Sequence, residues 1–255
     1  MEVERLTSLK NPQVQLWRSL KDRKARREHG LFLVEGRKSV EEALSSGFPA
    51  EALLLREDTA EQGALPENVK KYLLPEHVMA AVCDTRTPQG IAAVMRHREI
   101  PVEGRRLVAL DGVQDPGNVG TVIRTMDAAG YHGLLMDEKT ADPYSPKALR
   151  ASMGGVFRVP VLRCDDLPGQ LRSLARDGFD IVAGDLHGEP FYQRRKAKNR
   201  LCVVIGNEGQ GVSPAVFAES TLRLKLPMVG GAESLNAAVA AGIMMYDFLR
   251  EKGGY

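Results

Sequence analysis

Residues 107–111 read Leu-Val-Ala-Leu-Asp, and the run stays apolar up to its last residue. A run of this kind is typical of a strand that is buried on both faces, because a strand with one face in water would alternate apolar and polar residues. Helical patterns separate it from further strand patterns, which are predicted at 133–137, 181–184, 201–205 and 222–226. Strands that alternate with helices predict an α/β fold whose mostly parallel sheet is covered on both faces.

The first hundred residues carry a smaller alternation of helices and strands. Helices are predicted at 12–28, 37–46 and 76–83, and strands at 31–35, 52–56, 69–74 and 91–96. The charged stretch that follows contains Pro101 and Gly104, a composition typical of a boundary between domains. We therefore predict a small α/β domain over 1–97, a linker over 98–106 and a second α/β domain over 107–255.

The composition excludes several classes of protein. Hydrophobic residues make up 43% of the chain and charged residues 27%, which is ordinary for a globular protein and unlike a disordered or fibrous one. No apolar run reaches the roughly 18 residues needed to span a membrane, and the first residues lack the apolar core of a secretory signal. Cys83, Cys164 and Cys202 are far apart and show no metal-binding spacing. These features predict a cytoplasmic protein without a metal site.

Basic residues are concentrated in two runs. Residues 16–30 contain six lysines and arginines against two acids, and residues 191–200 contain five and no acid. Either run alone is typical of a solvated face, but two runs beside aromatic residues favour a polyanionic partner such as RNA, since both side chains are attracted to phosphates. The residues predicted to bind RNA are the six of the first run: Arg18, Lys21, Arg23, Lys24, Arg26 and Arg27.

Three segments rich in glycine and polar residues follow predicted strands. In open parallel sheets, such segments meet at the edge where ligands bind. The first, residues 111–124, contains Asn118, which is well placed to cap the helix predicted at 118–129, and Arg124, which lies off the apolar stripe of that helix. Two interpretations of Arg124 stay open: a surface pair with Asp127, or a cation directed at a ligand.

The second and third segments each carry unusual polar groups. Residues 205–214 hold three glycines in the spacing G-x-x-G-x-G, which is neither the dinucleotide fingerprint nor a P-loop. Glu208 in this turn is unusual, because a carboxylate there needs donors or a cationic partner. In the third segment, Ser234 is placed to cap the last helix, predicted at 235–250, and Asn236 falls in its first turn.

These three segments together resemble the SpoU, or TrmH-like, branch of the SPOUT family of RNA methyltransferases. The motifs that carry the resemblance are D-P-G-N-V-G-T-V-I-R (115–124), I-G-N-E-G-Q-G-V-S (205–213), and L-P-M with E-S-L-N-A-A-V-A (226–228 and 233–240). The first hundred residues are similar to a ribosomal-protein-like substrate-binding domain of this family, through L-T-S-L-K-N-P (6–12), G-L-F-L-V-E-G (30–36) and P-Q-G-I-A-A-V (88–94).

The resemblance implies a C-terminal sheet tied in a trefoil knot, a homodimer, and transfer of a methyl group from S-adenosylmethionine to a ribose 2′-hydroxyl of RNA. It implies cofactor contacts at Gly206, Glu208, Gly209, Leu226 and Leu235, and catalytic-site roles for Asn118, Arg124, Glu208, Ser234 and Asn236. Large-subunit ribosomal RNA is the expected substrate because the N-terminal domain is present. Transfer RNA as substrate and a catalytically silent RNA-binding protein are the alternatives.

The chemistry expected of Arg124 is electrostatic. A guanidinium stays protonated in proteins, so it is a poor base. As a cation it orients the ribose hydroxyl or a neighbouring phosphate and stabilises a developing alkoxide. Glu208 either holds Arg124 or accepts the proton, and the sequence leaves both roles open. The last helix carries bulky apolar residues such as Ile243 and Tyr246, which adds to the expectation of a homodimer.

Overall fold

The structure is a computed structural model that describes residues 3–58, 66 and 68–251. The chain divides into two compact units. The first unit contains the residues up to Arg98 together with Tyr144–Phe157, and the second unit contains Glu99–Pro143 together with the residues from Arg158 onward. No helix in the described ranges is long and apolar enough to cross a membrane.

The first unit begins with nine elements: β1 (Val3–Arg5), α1 (Pro12–Ser19), α2 (Arg23–His29), β2 (Leu31–Glu35), α3 (Arg37–Ser45), β3 (Ala50–Arg56), β4 (Lys71–Leu74), α4 (Glu76–Val82) and β5 (Ile91–Arg96). The five strands form one sheet in the order β1-β4-β3-β5-β2, in which β5 is antiparallel to both of its neighbours. Trp17 and Tyr72 meet edge to face in the core on one side of the sheet, with 4.9 Å between ring centroids.

The single helix predicted at 12–28 is two helices in the structure. The break at residues 20–22 leaves the carbonyl groups of Leu20 and Lys21 outside the helical ladders, and the guanidinium of Arg26 donates to them at 2.9 and 2.8 Å. Arg26 is only 2% exposed. It therefore drops out of the predicted RNA-binding set, because its guanidinium closes the turn between α1 and α2.

The rest of the chain forms β6 (Arg106–Asp111), α5 (Pro116–Ala128), β7 (Gly133–Met136), α6 (Pro146–Ser152), β8 (Val161–Arg163), α7 (Leu167–Arg176), β9 (Asp180–Pro190), β10 (Leu201–Gly206), α8 (Pro214–Ala218), β11 (Leu222–Lys225) and α9 (Ala237–Glu251). The six strands pair in parallel, in the order β11-β9-β10-β6-β7-β8. The predicted α/β fold with a mostly parallel sheet is confirmed. Three elements were not predicted from the sequence: the strands β1 and β8, whose three residues are too few to show a pattern, and the helix α7.

The segment Tyr144–Phe157, which the sequence analysis included in the second domain, packs with the first unit. The ring of Phe32 in β2 lies 4.8 Å from the ring of Tyr144 and 6.3 Å from that of Phe157, centroid to centroid. Arg150 in α6 pairs with Asp84 at 2.9 Å. The chain therefore passes from one unit to the other three times, once after Arg98 and once at each end of this segment.

Parallel pairing brings the carboxyl ends of the strands to one edge of the second sheet. Asp111, at the end of β6, stands opposite Gly206, at the end of β10. The segments that follow β6, β10 and β11 are the three that the sequence analysis selected. They therefore start from the same edge, which is where open parallel sheets bind their ligands.

Candidate active site

A cavity of about 730 Å³ opens at this edge of the second unit. Pockets for small molecules usually measure about 300–1,000 Å³. The walls combine apolar side chains, such as Leu224 and Met244, with polar and backbone groups of the loops after β10 and β11. Seven of the residues predicted for the site line this cavity: Gly206, Glu208, Gly209, Leu226, Ser234, Leu235 and Asn236.

The loop after β10 folds back on itself and brings its backbone against the cavity. Asn207 and Gly211 exchange two backbone hydrogen bonds of 2.9 Å, and the Asn207 side chain accepts from the backbone N–H of Gly209 at 2.9 Å. A Cβ at Gly206 would overlap the backbone of Gly211, so this fold-back requires glycine. The Asn207 amide also donates to the carbonyl of Gly112 at 2.8 Å, which ties the loop to the segment after β6.

The carboxylate of Glu208 makes a second link between these two segments. Its Oε2 accepts from the backbone N–H of Gln114 at 3.0 Å, and its Oε1 accepts from the backbone N–H of Asp115 at 3.1 Å and from Asn118 Nδ2 at 2.9 Å. Burial acts to raise the pKa of Glu208, but these donors together bring it below its ordinary value. Within the described residues its partners do not include Arg124, so Glu208 does not hold Arg124 in this chain.

Asn118 lies in the first turn of α5 and does not cap it. Asp115 caps the helix with its side chain, and Pro116 occupies the first helical position. The predicted cap is therefore wrong by three residues, because Asp-Pro is an equally good start signal. This shift leaves the Asn118 amide available as a bridge: Nδ2 donates to Glu208, and Oδ1 accepts from Asn236 Nδ2 at 2.9 Å.

Asn236, and not Ser234 as predicted, caps α9. Its Oδ1 accepts from two backbone N–H groups in the first turn of the helix, at 2.9 and 3.2 Å. Ser234 lies two residues earlier, in the wall of the cavity. Because the same Asn236 side chain donates to Asn118, a continuous chain of hydrogen bonds runs Glu208–Asn118–Asn236 and joins all three segments.

Arg124 lies exposed on α5. In the ranges that the structure describes, its side chain makes no hydrogen bond or ion pair. Asp127, the alternative partner, pairs instead with Arg158 through contacts of 2.8, 3.0 and 3.1 Å. The surface-pair interpretation of Arg124 is therefore wrong, and its guanidinium, with five N–H donors, is available to a ligand or to another chain.

The members of the first basic run differ in how exposed they are. Arg18, Lys24 and Arg27 are exposed, whereas Lys21 and Arg23 are partly buried. Lys21 Nζ donates to a backbone carbonyl near the end of α4 at 2.9 Å. The exposed three are thus the best placed of the predicted residues to meet a phosphate.

The second basic run, residues 191–200, braces α9. The guanidinium of Arg194 lies 4.2 Å from the ring of Phe191 and 4.4 Å from that of Phe248, measured to the centroids. It donates to Asp247 at 2.7 Å and to Glu251 at 2.8 Å, and the side chain is 6% exposed. Its charge is neutralised inside the fold, so Arg194 does not contribute to the polyanion-binding surface that the sequence suggested.

Sequence reasoning missed the part of the cavity wall that β9 supplies. Asp185, Leu186 and His187 line the cavity, although no motif marks them. The structure alone brings them there, through an irregular pairing of β9 with β11. Across the residues that the structure describes, no group of three or more histidine, cysteine or acidic side chains could hold a metal ion.

Two family models match the chain. The model of the SpoU rRNA Methylase family matches residues 105–246, which include the three segments and the cavity. The model of the MRM3-like substrate binding domain matches residues 11–93. The two matches together cover most of both units.

Individual relatives agree with these matches. The 23S rRNA (guanosine(2553)-2'-O)-methyltransferase RlmP of Bacillus subtilis is 38% identical over 96% of this chain and 98% of its own. The crystal structure of an AdoMet-bound rRNA methyltransferase from Sinorhizobium meliloti superimposes with a TM-score of 0.87, at 33% identity over 97% of this chain and 98% of that one. A structure described as giving insights into 2-OH methylation of C/U34 on tRNA has a TM-score of 0.53 at 29% identity. The match includes 99% of that chain but only 59% of this one.

Proposed function

The chain belongs to the SpoU rRNA Methylase family, and we propose that it methylates a ribose 2′-hydroxyl of large-subunit ribosomal RNA. The family and the relatives make it an RNA (ribose-2′-O)-methyltransferase that uses S-adenosylmethionine. One observation carries the proposal. The hydrogen-bond chain Glu208–Asn118–Asn236 joins the three strand-end segments beside a cavity of small-molecule size.

The cavity fits S-adenosylmethionine. Its apolar side chains, among them Leu226, Leu235 and Met244, suit the adenine ring and the carbon chain of the methionine part. The fold-back at Gly206, which a Cβ would block, brings backbone N–H and C=O groups within reach of the polar edges of a ligand. Bound S-adenosylmethionine supplies a methyl group that its sulfonium has already activated.

The residues of this chain then have to align the ribose and manage its proton. The ribose oxygen bonds to the methyl carbon as the carbon–sulfur bond breaks, the electron pair stays on sulfur, and the hydroxyl proton passes to solvent. Alignment alone can remove about 7–11 kcal/mol of the barrier in favourable cases. Arg124 stabilises the charge that develops on the oxygen. Glu208 positions the segments, since a carboxylate of lowered pKa is a weak base.

A homodimer is part of the same proposal. Val239 and Tyr246 on α9 are 50% and 40% exposed, and Leu235 just before the helix is 37% exposed. A second copy of the chain would remove this apolar surface from water. Since α5 packs against α9, Arg124 on α5 would then lie close to the subunit interface. The trefoil knot and the cytoplasmic location that the resemblance implies belong to this proposal as well.

For the RNA, we assign residues 1–97 as the substrate-binding domain, 98–106 as the linker and 107–255 as the methyltransferase domain. The match of residues 11–93 to the MRM3-like substrate binding domain supports this assignment. The relatives described above that share nearly the whole chain are named for ribosomal RNA, whereas the transfer-RNA structure corresponds to 59% of it. This difference favours ribosomal RNA over transfer RNA as the substrate.

A methyl-transfer assay tests the proposal. The purified protein and labelled S-adenosylmethionine are incubated with large-subunit ribosomal RNA transcripts and, in parallel, with bulk transfer RNA. The position of a 2′-O-methyl group is mapped by its resistance to alkaline cleavage. We expect preferential labelling of the ribosomal transcript. Preferential labelling of transfer RNA would overturn the substrate, and RNA binding without cofactor binding would support the catalytically silent alternative.

Point variants test the role of the first unit in RNA binding. The triple variant Arg18→Ala/Lys24→Ala/Arg27→Ala should bind the RNA more weakly and with a shallower salt dependence, by about 0.9 in logarithmic slope for each duplex phosphate contact that is lost. Its affinity for S-adenosylmethionine should be unchanged. Arg172→Ala, at an exposed ion pair of the second unit, is the control. Wild-type RNA affinity in the triple variant would contradict the assignment of this surface.

A further inference from the structure

Strand β9 leaves its partner β11 for five residues and then returns to it. Val182 and Ala183 stand opposite Leu222 and Arg223, and the next step along β11, to Leu224, already faces Glu189. Residues 184–188 therefore have no partner residue on β11. We name them the β9 bulge. Four of its five residues, 184–187, line the cavity.

The bulge is held by the carboxylate of Asp185. Its Oδ1 accepts from the backbone N–H of His187 at 2.9 Å, and its Oδ2 accepts from Arg223 Nε at 2.9 Å. Arg223 Nη2 lies 2.7 Å from the same Oδ2. The Asp185 side chain is 7% exposed, whereas that of Arg223 is 51% exposed. The Arg223 guanidinium also lies 4.3 Å from the ring centroid of Phe217, another residue of the cavity wall. A surface arginine thus connects two parts of the wall.

The backbone fixes the return of the bulge to β11. A Cβ at Gly188 would overlap the carbonyl group of Arg223. The two strands therefore lie closer together here than a residue with a side chain at position 188 would permit. This contact and the ion pair both centre on Arg223. Between these fixed points the bulge presents Leu186, which is 48% exposed although it is a large apolar residue. An exposed leucine in the wall of a small-molecule cavity is suited to cover the apolar part of a ligand.

We propose that Arg223 is a positioning residue, which holds the β9 bulge in the cavity wall through Asp185 so that Leu186 packs against bound S-adenosylmethionine. The inference rests on S-adenosylmethionine as the cofactor. Arg223 needs no contact with the ligand for this role. Its loss would leave a nearly buried carboxylate without its cation, and the bulge would rearrange to hydrate it.

Calorimetric titration of the full-length protein with S-adenosylmethionine, and with its demethylated product S-adenosylhomocysteine, tests the proposal. We expect Arg223→Ala to bind both compounds about tenfold more weakly, equivalent to ~1.4 kcal/mol. Arg172→Ala is a matched control, because Arg172 also donates through Nε and Nη2 to one carboxylate, at 3.1 and 2.6 Å, and is 53% exposed. It does not line the cavity. Each of the two variants loses one exposed ion pair, so we expect their unfolding midpoints to fall by similar amounts. Arg172→Ala should nevertheless keep the wild-type affinity for both compounds.

Two further variants separate positioning from direct contact. If Arg223 acts through Asp185, the double variant Asp185→Asn/Arg223→Ala should bind no more weakly than the weaker of the two single variants. Leu186→Ala should weaken binding without moving the unfolding midpoint. Wild-type affinity in Arg223→Ala, additive losses in the double variant, or wild-type affinity in Leu186→Ala would each overturn the proposal. A wild-type protein that binds neither compound would overturn the cofactor assignment itself.

Discussion

Replacing Glu208 by glutamine tests whether this side chain positions the site or takes part in the chemistry. The substitution keeps the size of the side chain and turns one carboxylate oxygen into an NH₂ group. In the native structure, one oxygen accepts from the backbone of Gln114 and the other from the backbone of Asp115 and from the Asn118 amide. A glutamine has one acceptor oxygen and must direct its NH₂ group at another donor. At least one of the three hydrogen bonds is therefore lost.

The expected cost follows from these bonds. A hydrogen bond to a charged group contributes about 1.5–3 kcal/mol when it is well shielded from water. Glu208 is exposed, so we discount each bond to about 0.5–1 kcal/mol for solvent screening. The loss of one or two of these bonds should then lower the free energy of unfolding of Glu208→Gln at pH 7 by about 0.5–2 kcal/mol.

The loss of stability caused by Glu208→Gln should be smaller at low pH than at pH 7. The pKa of Glu208 is lowered in the folded chain, because its hydrogen-bond donors outweigh the opposing effect of burial. A carboxyl of lowered pKa stabilises the fold fully above its unfolded pKa of about 4.3, and this stabilisation is lost as the pH falls through the folded pKa. The stability difference between the wild type and Glu208→Gln should therefore be complete at pH 7 and shrink below about pH 4.3.

Urea unfolding across this pH range and titration with S-adenosylmethionine measure both consequences. Glu208→Gln should lose stability and cofactor affinity together, because the loop after β10 is then held less firmly to the segment after β6. Glu51→Gln, at the exposed pair that Glu51 forms with Arg96 in the first unit, serves as the control and should change neither quantity appreciably. A Glu208→Gln variant with native stability and native cofactor affinity but no methyl transfer would refute the positioning role and indicate that Glu208 is the base.

Substitutions at three further positions test separate parts of the site. Arg124→Ala should leave the free energy of unfolding within about 0.5 kcal/mol of the wild type in thermal melts and abolish methyl transfer, and Arg124→Lys should transfer poorly because a point charge cannot replace a planar fork. Asn236→Asp keeps the oxygen that caps α9 but removes the donor to Asn118, so circular dichroism should show a stable helix while the transfer rate falls. Gly206→Ala should fold but lose S-adenosylmethionine binding in calorimetry, because its Cβ would displace the backbone of Gly211. Wild-type turnover in either Arg124 variant or in Asn236→Asp, or wild-type cofactor affinity in Gly206→Ala, would contradict these roles.

The place of the site could be predicted from the sequence, but the role of single residues in it could not. Unbroken apolar runs such as 107–110 indicate parallel strands, and the polar segments after such strands must share one edge. Within those segments, Asp115 and Asn118 are both good helix caps, as are Ser234 and Asn236. Which of each pair caps the helix depends on the neighbouring segment. Asn118 and Asn236 donate to groups more than 80 residues away in sequence, and no local pattern reports such a partner.

Irregular features of the fold could not be predicted either, because they also depend on residues that are distant in sequence. The β9 bulge depends on the backbone of Gly188 passing Arg223, which lies on another strand. Arg26 and Arg194 look like ordinary members of basic runs, yet one closes a turn and the other sits between two phenylalanine rings. A charge run shows only that cations are present. Which of them remain available to RNA is decided by carbonyl and carboxylate groups that the fold brings to them.

The segment Tyr144–Phe157 changes how the role of the first unit can be established. A deletion of residues 1–97 follows the domain boundary that the sequence suggests, but it would remove Phe32 from the rings of Tyr144 and Phe157 and Asp84 from Arg150. The remaining chain would expose apolar surface in a segment that connects β7 to β8, both strands of the catalytic sheet. Loss of activity after such a deletion would therefore report damage to the second unit as readily as loss of RNA binding. Substitutions of exposed cations leave this segment and the second sheet in place, and they are the proper measure of what the first unit contributes to recognition.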